Sequence, residues 1–218
     1  MEGKVLVLSC NVLKPQIELI GDPNFHYEYL KQGLHRTPEL LRDEIQKSIE
    51  KAGEYDYILL GYGLCSRAVI GLKAKEHQTL VIPKIDDCIG ISMGSREKYY
   101  EVFAQNPGTY YFTKGWTEAD NDPLKEYHLS VEKYGEEMAL WVAHESLKHY
   151  TRTVLIHTEN EELDSVKEYV QDFAKFFNLR YEEMDGSLDY LQRLLFGPWN
   201  QDFVVIKNGE TVDDSMFR

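Results

Sequence analysis

Residues 4–10, KVLVLSC, form a nearly continuous apolar run, and this run indicates the fold class. A run without polar alternation is typical of a strand covered on both faces, as in a parallel sheet. Similar runs follow at residues 55–60 and 79–83, and segments with helical periodicity separate them. Strands that alternate with helices predict an α/β fold with a mostly parallel sheet and helices on both faces.

The rest of the chain continues this alternation, with further strands predicted at residues 109–113, 152–158, 180–184 and 203–207. No linker, repeat or low-complexity tract interrupts it, so a single domain over residues 1–218 is the first interpretation. Two Rossmann-like lobes around one cleft, residues 1–115 and 116–218, are the alternative. Residues 11–37 are predicted to be irregular, and a loop of that length in a compact domain is usually functional.

The charge of the chain limits its partners. The 218 residues include 24 Lys and Arg against 37 Asp and Glu, which gives a net charge of −13. Nucleic-acid binding needs clustered basic charge, so we expect no nucleic-acid partner. No apolar run approaches the length of a spanning helix or of a signal-peptide core. We therefore expect a cytoplasmic protein without a membrane partner.

The usual catalytic signatures are missing from the sequence. Gly61-Tyr62-Gly63 lacks the third glycine and the later acidic residue of a dinucleotide site. The chain has no P-loop, no Gly-x-Ser-x-Gly elbow and no Cys-x-x-Cys pair. Its chemistry must come from residues that the fold brings together.

The three cysteines are the strongest candidates for such a group. Cys10 ends the first predicted strand, while Cys65 and Cys88 follow the second and the third. Ligands of open α/β sheets bind beyond the carboxyl ends of the strands, so the three thiols converge if these strands are neighbours. Each cysteine taken alone is more often a small buried core residue. Their joint placement predicts a shared metal site.

Two metal centres fit three thiolates. A zinc ion with three sulfur ligands keeps a fourth position for water or substrate. A [4Fe-4S] cluster with three cysteine ligands likewise leaves one iron open. The residues do not choose between them.

Other polar and aromatic residues at the same edge form a weaker set of candidates. His35 and Asp87 are candidate catalytic groups, although Asp87 is also a plausible helix N-cap and His35 a plausible exposed loop residue. Basic groups in an acidic protein suggest an anionic ligand, with simple salt bridges as the alternative. The candidate binding residues are Gly61, Tyr62, Gly63, Arg67, Lys84 and Arg96.

Several blocks of the sequence resemble the domain-of-unknown-function family 1638. They are Tyr57–Cys65, Ile82–Ile89 and Gly94–Tyr99, together with Leu34–Pro38, Pro107–Tyr111 and Gly115-Trp116. The resemblance covers most of residues 4–206. It implies an anaerobic microbe and a genomic setting near corrinoid-dependent methyltransferases of one-carbon metabolism.

Two classes of function follow from these observations. The first is an enzyme with a three-cysteine metal site that acts in corrinoid-linked methyl transfer, for example to a thiol substrate. The second is a non-catalytic accessory or chaperone module that holds a metal or small anion for a corrinoid methyltransferase system. In both, the ligand is small and is anionic or a thiol, and the corrinoid belongs to a partner protein.

Overall fold

The computed structural model describes residues 3–158 and 162–218. Its strands are β1 (Val5–Cys10), β2 (His26–Leu30), β3 (Tyr57–Gly61), β4 (Thr79–Pro83), β5 (Thr109–Phe112), β6 (Arg152–His157), β7 (Arg180–Asp185) and β8 (Phe203–Lys207). Its α-helices are α1 (Lys14–Ile20), α2 (Pro38–Lys51), α3 (Cys88–Met93), α4 (Arg96–Gln105), α5 (Lys114–Glu118), α6 (Pro123–Tyr134), α7 (Glu136–Ser146), α8 (Asp164–Phe176) and α9 (Asp189–Phe196). Single 3₁₀ turns lie at Asn11–Leu13, Gln32–Arg36 and Asp214–Phe217.

The larger sheet confirms the predicted α/β fold. Its five strands have the order β2-β1-β3-β4-β8, and only β8 runs antiparallel to its neighbour. The strands that precede the three cysteines, β1, β3 and β4, are therefore adjacent and parallel. Every residue of β1 is buried, as the apolar run at residues 5–10 predicts.

A second, smaller sheet contains β5, β6 and β7, all parallel. Val154 and Ile156 of β6 belong to the apolar core of the larger sheet, which connects the two sheets. The segments 1–115 and 116–218 do not coincide with the sheets. β5 already belongs to the second sheet, and the chain returns to the first sheet with β8.

The prediction of an irregular segment at residues 11–37 is wrong. This segment contains α1, β2 and a 3₁₀ turn at Gln32–Arg36. β2 reads HYEYL and lies at the edge of the sheet, where none of its residues is fully buried. An edge strand of this kind lacks the apolar run by which a buried strand is recognised.

A glycine with positive φ separates the two helices in each of the pairs α3–α4 and α6–α7. Gly94, with φ of 82°, separates α3 from α4, and Gly135, with φ of 81°, separates α6 from α7. This left-handed conformation is accessible to glycine without steric cost and ends a helix. In the described part of the chain, no helix combines the length and the apolar character needed to cross a membrane.

Candidate functional site

A cavity of about 480 Å³ lies beyond the carboxyl ends of β1, β3 and β4. Its lining comes from these strand ends, the turn before α2, β5, α5 and the start of α6. The lining residues are Cys10, Lys31, Gln32, His35, Arg36, Leu41, Tyr62, Cys65, Ser66, Asp86, Asp87, Cys88, Ile89, Thr109, Tyr110, Tyr111, Trp116, Pro123 and Tyr150. Its volume is that of a small-molecule site.

All three cysteines line this cavity, as predicted from their positions after the strands. Cys10 is the last residue of β1, Cys65 lies in the turn after β3, and Cys88 is the first residue of α3. None of them forms a disulfide. The parallel order of β1, β3 and β4 thus brings together residues that are up to 78 positions apart in the sequence.

The thiols lie in a poorly solvated environment and interact electrostatically. Burial raises the pKa of Cys10 to about 11 and that of Cys65 to about 12. Burial also raises the pKa of Cys88 well above its ordinary value, and the neighbouring Cys10 and Cys65 raise it further. A negative charge on one thiol therefore disfavours ionisation of the next. Without a cation, all three are protonated at neutral pH.

The turn that holds Cys65 has an uncommon backbone. Cys65, Ser66 and Arg67 have successive φ values of 44°, 57° and 70°, a left-handed conformation that is costly for residues with a Cβ. The amides of Leu64 and Cys65 donate to the carbonyls of Ile85 and Asp86, both at 2.8 Å. These bonds tie the turn to the loop before Cys88. Strain that the surroundings maintain in this way is found preferentially at functional sites.

A glycine substitution tests whether the backbone of this turn is strained. We expect Ser66→Gly to raise the free energy of unfolding by roughly 0.5–1 kcal/mol, because glycine adopts positive φ without steric cost. Chemical denaturation monitored by circular dichroism measures the change. Ser130→Gly within helix α6 is the matched control, and there the same substitution should lower the free energy of unfolding by a similar amount. Destabilisation by Ser66→Gly would contradict the strain.

Asp87 precedes Cys88 in the chain and makes hydrogen bonds to two helices, α3 and α4. Its Oδ1 accepts from the amide of Ile89 at 2.9 Å and caps α3, while its Oδ2 accepts from the Tyr99 hydroxyl at 2.9 Å. Burial raises the pKa of Asp87, and these hydrogen bonds oppose the rise. The N-cap interpretation of Asp87 is confirmed. Its catalytic role stays a prediction.

His35 lines the cavity in a defined orientation. Its Nδ1 lies 2.6 Å from the backbone carbonyl of Gln32, and its ring makes an edge contact with Trp116 at 5.9 Å between centroids. A carbonyl only accepts, so Nδ1 carries the proton in this bond. The neutral ring therefore has its free lone pair on Nε2, the arrangement that suits a metal ligand or a proton acceptor. His26, in contrast, begins β2 and stacks on Tyr55 outside the cavity.

Several buried polar atoms of the cavity lining have no hydrogen-bond partner in the described structure. Among them are the hydroxyl of Tyr62, the indole nitrogen of Trp116 and the side-chain oxygen of Gln32. After burial, the charges that Cys10, Cys65 and Cys88 would carry are the main cause of the raised pKa of Tyr62. Its hydroxyl is therefore within electrostatic range of all three thiols. Buried polar groups are normally satisfied, so unpaired ones at a cavity suit a bound group.

Gly61 and Gly63 leave room for neighbouring atoms of the protein, not for a ligand. A Cβ on Gly61 would overlap the side chain of Ser9, and one on Gly63 would lie 2.5 Å from the carbonyl oxygen of Ile85. Neither glycine lines the cavity among the described residues. Their small size lets adjacent backbone segments pack closely.

The three basic residues that the sequence placed at the site contact other parts of the protein. Arg67 pairs with Asp214 at 2.9 Å, and Arg96 donates to the carbonyl of Phe217 at 3.3 Å. The amide of Lys84 donates to Asp202 in the connection to β8, and in the described structure none of the three residues lines the cavity. The cations that do line it are Lys31 and Arg36, and Arg36 pairs with Glu126 of α6.

The sequence analysis did not identify most of the aromatic residues that line the cavity. Tyr110 and Tyr111 come from β5, Tyr150 precedes β6, and Trp116 lies in α5. Alternating Tyr and Phe in a short strand also describes ordinary core packing, so the sequence contains no signal that identifies them as cavity residues.

A model of the family described as protein of unknown function (DUF1638) matches residues 29–195. The chain belongs to the DUF1638 family. The matched region contains Cys65, Cys88 and His35 but begins after Cys10. Neither the curated proteins nor the solved structures gave a match.

Proposed function

We propose that this DUF1638 protein binds a thiolate-ligated metal centre through Cys10, Cys65 and Cys88, with one coordination position open to the cavity. One observation carries the proposal: every cysteine of the chain lines the same cavity, at the ends of three adjacent strands. Three thiolates in a poorly solvated site repel one another, and a cation that binds all of them removes this cost.

An iron–sulfur cluster fits the thiols better than a single zinc ion. Within residues 3–158 and 162–218, no three Cys, His, Asp or Glu side chains are grouped as ligands of one ion. Each thiolate of a [4Fe-4S] cluster binds a different iron, so a cluster accepts sulfurs that are farther apart. The cavity of about 480 Å³ beside the thiols provides room for such a group. A zinc ion would first require side-chain rotations that bring the sulfurs together.

The residues around the thiols suit a hydrogen-bonded metal centre. The Tyr62 hydroxyl interacts electrostatically with all three thiols and has no hydrogen-bond partner in the described structure, so it is a candidate donor to a metal-bound sulfur. Hydrogen bonds of this kind set the electronic properties of thiolate centres. Nε2 of His35 is positioned to exchange a proton with a ligand in the cavity.

The metal centre, when bound, would supply a Lewis acid at its open position. The matching substrate is a small thiol or anion, since the cavity is of small-molecule size and Lys31 and Arg36 line it. A corrinoid is larger than this cavity, so in a methyl transfer a partner protein would have to present it at the cavity mouth. Free thiols persist in a reducing compartment, and we infer the cytoplasm.

Metal analysis of anaerobically purified protein tests the proposal. After supply of iron and sulfide we expect about four irons per chain and a brown protein whose visible absorption bleaches on reduction. A colourless protein with one tightly bound zinc would establish the zinc centre instead. The absence of stoichiometric metal after both iron–sulfide and zinc supply would overturn the proposal. Methyl transfer from a methyl-corrinoid to a thiol would then separate an enzyme from an accessory protein.

A further inference from the structure

The cavity of the three cysteines also contains two basic side chains. Lys31 is exposed and the side chain of Arg36 is 45% exposed, whereas Cys10 and Cys88 are only 7% and 8% exposed. One cavity therefore connects buried thiols with basic groups that remain in contact with solvent. A lining of this kind suits a ligand whose two ends differ in chemistry.

Arg36 forms an ion pair with a carboxylate of α6. Its Nη1 donates to Oε1 of Glu126, a residue that lies 90 positions later in the chain. Both charges also act on Tyr110, a residue of the cavity lining: burial raises the pKa of Tyr110, Arg36 opposes this rise, and Glu126 adds to it. The ion pair therefore lies beside the cavity. Both of its side chains are partly exposed, and ion pairs of this kind are weak.

Glu126 indicates which chemical group Arg36 binds. A guanidinium group has several N–H donors in one plane, and this arrangement matches the two oxygens of a carboxylate. Within the described residues, the bond to Glu126 uses only Nη1, so the other donors are available to a ligand. A carboxylate that enters the cavity can therefore take the place of Glu126 without leaving Arg36 unpaired.

We infer that the cavity binds a short thiol acid, whose carboxylate takes the place of Glu126 on Arg36 and is also bound by Lys31. The thiol end rests on the proposed metal centre: the thiol releases its proton to solvent and fills the open coordination position as a thiolate. The alkyl chain between the two ends lies against aromatic side chains of the lining. They are Tyr110, Tyr111, Trp116 and Tyr150.

Neither end of such a ligand is sufficient by itself. A plain thiol makes no use of the charges of Lys31 and Arg36, and a plain carboxylate leaves the open coordination position empty. Two weak contacts in one molecule bind far more tightly than either alone, because the second forms without a further loss of freedom. The cavity volume of about 480 Å³ is sufficient for both ends.

Propionate binding to the metal-free, full-length protein tests the carboxylate end independently of the metal. An NMR titration gives the dissociation constant. We expect Arg36→Met to raise this constant at least about tenfold, because a charge-assisted hydrogen bond is lost. Glu126→Gln should have the opposite effect and lower it about two- to fivefold, because the ligand no longer competes with a carboxylate for Arg36.

The control is the exposed ion pair of Lys47 and Glu44 on α2, which does not line the cavity as described. Lys47→Met and Glu44→Gln should leave propionate binding unchanged, and circular dichroism shows whether each variant is folded. Three results would overturn the carboxylate end: no saturable binding in the millimolar range, wild-type affinity in Arg36→Met, or weaker binding by Glu126→Gln. The last of these would mark the ion pair as purely structural.

Metal-loaded protein tests the thiol end with three probes, β-mercaptopropionate, propionate and propanethiol. We expect β-mercaptopropionate to bind at least about tenfold more tightly than either of the others and to shift the visible absorption of the metal centre. Equal affinities would overturn the two-ended ligand. A protein that takes up no metal would remove the proposed function and the thiol end with it, whereas the effects of Arg36→Met and Glu126→Gln on propionate binding would stand.

Discussion

Replacement of Cys10, Cys65 or Cys88 by serine, one at a time, should reduce the iron bound after anaerobic reconstitution from about four per chain to less than about one. The serine hydroxyl has nearly the volume of the thiol, but it does not ionise at neutral pH and is a poor ligand for a soft metal centre. All three thiols line the same cavity, so the loss of one leaves at most two ligands in the chain. Iron and sulfide analysis with visible spectroscopy measures the result.

The control for these variants is Ser66→Gly, which changes the residue next to Cys65 without removing a sulfur. It should keep the full iron content. Cys10 and Cys88 are only 7% and 8% exposed, so their serine variants also need a folding check by circular dichroism. A folded serine variant that keeps all of its iron would show that the replaced cysteine is not a ligand.

The apo protein should show thiols of low reactivity at neutral pH. A rise in pKa from 9.0 to about 11 lowers the thiolate fraction of Cys10 about hundredfold at neutral pH. The higher nucleophilicity of a more basic thiolate recovers part of this loss. We therefore expect Cys10 to react with iodoacetamide at least about tenfold more slowly than in the urea-unfolded chain, and Cys65 more slowly still. Mass spectrometry of time-resolved alkylation gives the rate at each cysteine.

The pH profile distinguishes low ionisation from poor access. The rate should continue to rise beyond pH 10, because the folded thiols ionise above the range of free cysteine. Poor access alone would lower the rate at every pH and leave the plateau at its ordinary position. A plateau near pH 8 for any of the three thiols would contradict the raised pKa values.

The buried part of the fold was predictable from local pattern. β4 and β8 begin and end at the predicted residues, and β1 and β3 differ from prediction by no more than two residues at either end. Strands that are buried on both faces require apolar side chains at nearly every position, and a linear sequence displays that requirement directly. The positions of Cys10 and Cys65 after such strands were therefore predictable as well.

Partly exposed elements were not predictable in the same way. β2 gains its strand conformation by pairing with β1, in register from Leu6 with His26 to Cys10 with Leu30, and its own residues carry little signal. Hydrogen bonds to a neighbouring strand stabilise an edge strand whatever its polar content. The turn at Gln32–Arg36, which orients His35, depends in the same way on the elements on either side of it.

The sequence by itself determined the α/β class and the placement of every cysteine at or after the end of a strand, because burial imposes these features locally. The tertiary structure decided that the three strands are neighbours. Only the tertiary structure decided what faces the thiols. The smaller sheet packs against the core of the larger one through Val154 and Ile156, and this contact brings Tyr110 and Tyr111 to the cavity. It likewise separated Arg67 from the cavity by pairing it with Asp214. Such contacts join residues far apart in the chain, and their energies depend on complementary surfaces that no local pattern records.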